Sequence, residues 1–346
     1  MQKIFRFCFL SLGLIFPPNI AFAGGQPAAA QPATKPDDDF FLQGEFAGRL
    51  EHLVNGLADQ RRSSIGVQVT ALGDGNFQAV EYSGGLPGNG WDLKTRRKFT
   101  GRRIAAGIAE LAGDGRQLTV RRESIVVKDL SGQELGRLPK LERKSQTLGA
   151  APPAGAIILF SGWDSRQFKN GVLTTDHLLA SGTETRQSFG DFTMHLEFRT
   201  PYMPRARDQA RGNSGVYIQG RYEMQILDSF GMEGNSNECG SLYRQQSPLL
   251  NMCFAPLSWQ TYDIDFTAAR FDDENKKTRN ARITARHNGI VIHNNYELTS
   301  KTGAGAAESP DLRPIKLQDH GNPVHFRNIW IVERKGGRDA FVSNLP

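Results

Sequence analysis

The chain predicts an all-β protein: a β-rich N-terminal domain followed by an antiparallel β-sandwich. Three features carry that reading. Apolar and polar residues alternate with period two in many short segments, turn-forming residues separate the segments, and no long amphipathic helical stretch occurs. At 346 residues the length suits about two domains, each large enough to bury a core without staples.

The first residues predict an export signal over 1–23. Lys3 and Arg6 supply positive charge, Phe7 to Phe16 form an apolar run too short to span a bilayer, and Ala21-Phe22-Ala23 offers a small-x-small cleavage pattern. This implies a periplasmic or secreted protein, and no later segment has the length of a membrane span. Residues 24–39 begin with an Ala/Pro/Gln/Gly-rich stretch and predict a flexible tether. The net charge of +6 falls by two, to +4, once Lys3 and Arg6 are removed. The remaining basic residues are scattered rather than gathered into a stripe, which argues against a nucleic-acid partner. Cys239 and Cys253 are the cysteines left after cleavage, and an even pair in an exported protein predicts a disulfide. No CxxC, HExxH or Cys/His cluster points to a metal, and no cofactor is expected.

Residues 40–145 form the first domain. Ile65–Val69, Phe77–Tyr82, Ile104–Leu111, Gln117–Arg121 and Ser124–Lys128 read as strands, with turns at Gly73–Asn76, Gly113–Gly115 and Ser131–Gly132. The glycine-rich Gly84–Gly90 lacks the strand–loop–helix setting of a phosphate cradle and reads as a plain loop. Residues 145–155, rich in Ala, Pro and Gly, read as a linker between separable domains. The second domain covers 155–335. Phe192, Met194, Leu196 and Phe198 alternate with Thr193, His195, Glu197 and Arg199; Val216 and Ile218 flank Tyr217; Ile315 and Leu317 alternate with Lys316 and Gln318. Each such strand has one face for a core and one for solvent, the pattern of antiparallel sheets packed on one side. His287-Asn288-Gly289-Ile290 carries the Asn-Gly hairpin signal.

The chemistry is sought on the polar faces. In Tyr222–Ser229, Glu223 and Gln225 share a face, and a bulge near Leu227 would bring Asp228 onto it; the resulting E-x-Q-x-x-D resembles the E-x-D-x-x-E strand of sandwich-fold glucanases. Glu223 with Asp228 or Glu197 would make the carboxyl pair that conventional glycoside hydrolysis requires, although Gln225 removes a carboxylate from the pattern. Arg199 could bind a sugar or pair with an acid. His320 follows Gln318 by two residues at a strand end and is a candidate proton carrier.

Together, Leu159–Trp163, Gly212-Asn213-Ser214-Gly215-Val216-Tyr217, Tyr222–Ser229, Cys239–Tyr243 and Leu317–Gly321 followed by Phe326–Ile329 resemble the 3-keto-disaccharide hydrolase family over about 155–334. The resemblance implies a concanavalin A-like sandwich (a jelly roll) that cleaves glycosides already oxidised at C3. A ketone there acidifies the C2 proton, so a base can remove it, the aglycone leaves, and water adds back. Glu223, His320 and Asp228 become catalytic candidates, and Glu197, Arg199, Asn213, Tyr217, Gln225, Tyr243 and Gln318 candidates for binding substrate. The ketone would come from a separate sugar 3-dehydrogenase, since no dinucleotide fingerprint occurs here. Two other classes remain open: a non-catalytic sugar-binding module, with Tyr217, Tyr222 and Tyr243 as stacking platforms, and a conventional glucanase-like glycosidase.

Overall fold

A computed structural model describes residues 34–54 and 57–334. The expected export signal and residues 24–33 of the tether lie outside them. Residues 34–39 of the expected tether are tied down: the Thr34 amide donates to Tyr202 O at 2.9 Å, and Asp37 caps a short helix α1 (Asp38–Leu42) by accepting from Phe40 N.

Eight strands follow: β1 (Gly44–Val54), β2 (Leu57–Gly73), β3 (Asn76–Ser83), β4 (Arg96–Ala105), β5 (Ile108–Gly113), β6 (Arg116–Arg121), β7 (Ser124–Asp129) and β8 (Glu134–Leu141). Each pairs antiparallel with the next, and Glu45↔Leu141 and Phe46↔Lys140 join β1 to β8, closing a barrel. Closure leaves no sheet edge unpaired. The inward residues of the alternation, among them Phe46, Val67, Val69, Phe77, Phe99 and Val120, form its core. The predicted run Ile104–Leu111 is in fact a hairpin: β4 ends at Ala105, Gly107 takes φ 68° in the turn, and β5 begins at Ile108.

The C-terminal half comprises β9 (Ile157–Phe160), β10 (Phe168–Lys169), β11 (Leu179–Ala180), β12 (Thr183–Phe189), β13 (Phe192–Arg199), β14 (Ser214–Ile218), β15 (Tyr222–Ile226), β16 (Gln260–Thr267), β17 (Arg270–Phe271), β18 (Lys277–Arg279), β19 (Ala281–His287), β20 (Ile290–Leu298), β21 (Arg313–Leu317) and β22 (His325–Glu333). A five-stranded sheet runs β10-β12-β21-β14-β15. A seven-stranded sheet runs β11-β22-β13-β16-β19-β20, with β9 added along β22. Val216, Ile218, Met224, Ile226, Ile315 and Leu317 from the first sheet meet Phe192, Met194, Leu196, Phe198, Ile264 and Phe266 from the second in one core. This is the expected all-β sandwich, preceded by a barrel. The Asn288–Gly289 turn joins β19 to β20 with both residues at positive φ, as the Asn-Gly signal predicts.

The segment expected to be a loose linker is bolted to the outer face of the seven-stranded sheet. Ser145 Oγ lies 2.6 Å from Thr261 Oγ1, Thr147 Oγ1 donates to Asp263 Oδ2 at 2.6 Å, and Gly149 N donates to Glu197 Oε1 at 2.6 Å. Ala150 O accepts from Asn328 Nδ2 and Trp330 Nε1. The halves also touch directly. Arg211 Nη1 donates to Ala71 O at 3.3 Å, Thr70 Oγ1 to Phe230 O at 3.1 Å, and Tyr202 of the sandwich joins the apolar cluster of the barrel.

The bridge expected between Cys239 and Cys253 is not formed. Both are free, buried thiols. The two thiols face each other and share a hydrogen bond; Cys239 Sγ also lies 3.3 Å from Tyr262 OH, and Cys253 Sγ donates to the Leu227 and Phe254 carbonyls at 3.4 Å. Such enclosed thiols should resist alkylation in the folded protein and both react once it is unfolded, adding two adducts by mass spectrometry; a non-reduced protein that takes up none after unfolding would instead be bridged.

Candidate active site

The polar face of the five-stranded sheet is assembled from register. β14 and β15 pair as Gly215↔Gln225 and Tyr217↔Glu223, with no shift, and Tyr217 also pairs with Lys316 of β21. Gly215, Tyr217, Glu223, Gln225 and Lys316 therefore share one face, and Gln318, whose N–H donates to Gly215 O, continues it. Cys239–Tyr243 runs beside β15 as an added edge: Gln225 N donates to Ser241 O, and Tyr243 N to Glu223 O. Over the face lies the stretch after β20. Thr302 Oγ1 accepts from Glu223 N, and Thr302 N donates to Arg221 O.

Glu223 sits at the centre and is 3% exposed. Tyr217 OH donates to its Oε2 at 2.8 Å, and Gln318 Nε2 reaches Tyr217 OH at 3.5 Å. Two glycines make the crowding tolerable. A Cβ at Gly215 would lie 2.6 Å from Glu223 Oε1 and 3.2 Å from Gln318 Oε1; one at Gly303 would lie 2.5 Å from Glu223 Oε2. Burial pushes the Glu223 carboxyl up to about 7, against the opposing pull of the Tyr217 hydroxyl and the Lys316 charge. A carboxyl held near neutrality is suited to giving or taking a proton. Gln225 is also buried, its amide between Glu223 on one side and Asn213 on the other.

Several predicted site residues lie elsewhere. Asp228 lies beyond the strand and is committed to another partner: β15 ends at Ile226, Leu227 packs in the core, and Asp228 is buried against Arg211, with Nε–Oδ2 at 2.7 Å. Glu197 and Arg199 belong to β13 and lie on the outer face of the seven-stranded sheet, across the core from Glu223, so neither can share a substrate with it. Glu197 is held by Arg327 Nε at 2.6 Å, Asn328 and Gly149 N. Burial would raise its carboxyl, but these partners and His195 bring it down to about 2. Arg199 and Arg327 both stack on Trp259, at 5.0 and 4.0 Å. Tyr222 is no sugar platform either: it faces the core, and its hydroxyl donates to Glu308 Oε1 at 2.6 Å. His320 is exposed in the turn after β21. Tyr217 and Tyr243 remain on the polar face; a Cβ on Gly303 would meet Tyr243 at 3.2 Å and the Tyr217 hydroxyl at 3.5 Å.

Sequence reasoning missed Thr302, Gly303 and Gln209. They lie in irregular segments where no periodicity reports a facing direction. Lys316 could have been found, since its alternation with Ile315 and Leu317 puts it on the same face as Gln318. Among the described residues no group of three His, Cys, Asp or Glu side chains is arranged to hold a metal ion, and no helix is long and apolar enough to cross a membrane.

By the domain it matches, the sandwich is carbohydrate-active and hydrolase-like. More particularly, the chain belongs to the 3-keto-disaccharide hydrolase family: residues 155–332 match the domain described as 3-keto-alpha-glucoside-1,2-lyase-like. Two crystal structures from Parabacteroides distasonis ATCC 8503, each described as a "putative glycosyl hydrolase", are similar to it. One is 32% identical, over 53% of this chain and 85% of its own, with a TM-score of 0.49. The other is 18% identical, over 52% of this chain and 94% of its own, with a TM-score of 0.37. No curated protein matches the chain.

Proposed function

We propose that this protein cleaves glycosidic bonds of 3-keto-glycosides by elimination and hydration, with Glu223 as its central proton carrier. The observation that carries the reading is the buried Glu223 carboxyl, beside which no second carboxyl is brought among the described residues. Gln225 stands where a glucanase-like pattern would have an acid, Asp228 is committed to Arg211, and Glu197 faces away. A conventional glycosidase uses two carboxyls about the scissile bond. Chemistry through a C3 ketone needs one well-placed acid and a base for C2–H instead.

In the proposed sequence a base removes the C2 proton and the electron pair forms a C1=C2 bond conjugated with the ketone. The C1–O bond breaks, and the departing oxygen takes a proton. Water then returns hydroxyl to C1 and a proton to C2, so the net change is hydrolysis. Lys316 and Gln318, which share the polar face with Glu223, would polarise the keto oxygen, and His320, exposed in the turn two residues beyond Gln318, is the candidate base. Asn213, Tyr217, Gln225 and Tyr243 would form the rest of the sugar site. A sugar 3-dehydrogenase must supply the ketone, and the N-terminal signal would place the reaction outside the cytoplasm.

Incubating the protein with a disaccharide and its 3-keto form, in deuterated water, tests this. The keto form alone should be cleaved, with deuterium at C2 of the product beyond spontaneous exchange. Equal cleavage of the unoxidised sugar, or an unlabelled C2, would remove the reading.

A further inference from the structure

Side-chain amides can turn over to suit their neighbours, but a backbone carbonyl can only accept. Two such carbonyls anchor a chain of amides that ends at Glu223. Asn237 O accepts from Gln209 Nε2 at 2.8 Å, so Gln209 must present Oε1 on its other side. Gln209 O accepts from Asn213 Nδ2 at 2.7 Å, so Asn213 must present Oδ1. Both oxygens face the far end of the Gln225 amide, at 3.3 and 3.0 Å, and that end must therefore be the nitrogen. The Gln225 oxygen is left 3.3 Å from Ser214 O and 3.0 Å from Glu223 Oε1. Two acceptor oxygens at that distance require a proton between them, and only the carboxyl can carry it. The reversed amide would serve both Glu223 and Ser214 O, but would set the Gln225 oxygen against two oxygens, those of Asn213 at 3.0 Å and Gln209 at 3.3 Å, whereas the first orientation leaves a single unserved carbonyl, Ser214 O, at 3.3 Å. The other carboxyl oxygen is already served, since Tyr217 OH donates to Glu223 Oε2 at 2.8 Å.

We propose that the chain Asn237 carbonyl–Gln209–Asn213–Gln225 is a polarity relay that holds a proton on Glu223 Oε1 in the resting protein, making Glu223 the proton donor of the site and the other three side chains positioning residues. The groups facing the carboxyl are Tyr217 from β14, Lys316 from β21, Tyr243 from the added edge, and Gly303 from the covering stretch, where Lys301 Nζ donates to Gly303 O at 3.0 Å. The Lys316 charge favours ionisation; burial and the relay oppose it. Once Glu223 has given up its proton, oxygen faces oxygen across 3.0 Å, so the relay favours reprotonation and return to the starting state. Only the destination of the proton, the departing glycosidic oxygen, rests on the proposed function.

The test follows the Glu223 carboxyl carbon by NMR in protein labelled with 13C at glutamate, assigned by its loss in Glu223→Gln, and titrated with pH. In the Gln209→Met/Asn213→Ala double variant neither upstream oxygen remains, and the freed Gln225 amide can turn its nitrogen onto the carboxylate. Its acid ionisation constant should then rise about tenfold, the worth of one charge-assisted hydrogen bond. Water admitted by truncating the buried Asn213 would move the constant the same way, so Gln209→Met, which keeps the side chain's volume, is the arm that separates the relay from burial. Gln209→Met by itself, at a half-buried position, should shift it the same way by less and covers the case of a poorly folded double variant. A constant unchanged in Gln209→Met, or a wild-type Glu223 already ionised at pH 5, overturns the relay. A protein that titrates as expected yet cleaves no 3-keto-glycoside keeps the relay and loses the function; cleavage with an unshifted titration does the reverse.

Discussion

Glu223→Gln should lower turnover of a 3-keto-glycoside by about 10²–10⁴-fold, the usual worth of a positioned acid or base, while leaving the fold intact. The substitution keeps the shape of the side chain. Its amide nitrogen can still donate toward Gln225, and its oxygen can still accept from Tyr217 OH, so no buried partner is stranded. The same change should stabilise the protein in alkaline solution. Because burial raises the folded carboxyl from 4.5 to about 7, the folded protein keeps a proton that the unfolded chain has released over that interval. Stability therefore falls as pH rises through that window and is level above it, a loss of roughly 3 kcal/mol by linkage. The glutamine variant has no such proton to lose. Denaturant unfolding at pH 8 should find it more stable than the wild type by up to that amount, with the gap closing near pH 4. Equal pH profiles for the two proteins would mean that Glu223 ionises as freely in the fold as in water.

Asp228→Ala should cost about 3–5 kcal/mol of stability and little activity in the protein that remains folded. Arg211, 4% exposed, would lose its carboxylate partner and keep a buried positive charge. It would also become a poorer anchor for the barrel, since its Nη1 reaches Ala71 O. Replacing both members, as in Asp228→Leu/Arg211→Met, should recover much of the loss, because an apolar pair needs no counter-ion. Urea midpoints of the single and double variants measure this directly. A single variant with unaltered stability and turnover reduced a hundredfold would return Asp228 to the chemistry.

The contrast between Glu223 and Asp228 marks what the sequence could convey. Period-two alternation correctly put Glu223, Gln225 and Gln318 on polar faces, because one-sided burial leaves a strong binary pattern. It could not say which sheet a polar face belonged to. Glu197 and Arg199 alternate as cleanly as Glu223 does, yet their strand lies in the other sheet. Nor could it settle Asp228, where the pattern stops at the strand end and either a bulge or an ion pair would spare the carboxylate. The linker's Ala, Pro and Gly gave no hint of its anchoring, since a few hydroxyls and backbone groups tie it to Glu197, Thr261 and Asp263. Closure of the N-terminal strands into a barrel left no trace at all, since the pairing of β1 with β8 depends on shape rather than on any local residue.

Tyr202 changes the order in which this protein can be completed. All eight barrel strands precede it in the chain, yet its buried ring belongs to their apolar cluster, 5.1 Å from Phe40, and its hydroxyl donates to Asp37. A chain emerging N-terminus first has its staves in hand before this plug has been made. Until then the barrel's apolar cluster lacks one of its buried rings. Completion of that cluster and the docking of its neighbour are then coupled, and damage at Tyr202 would register as a loss of stability in the domain that precedes it.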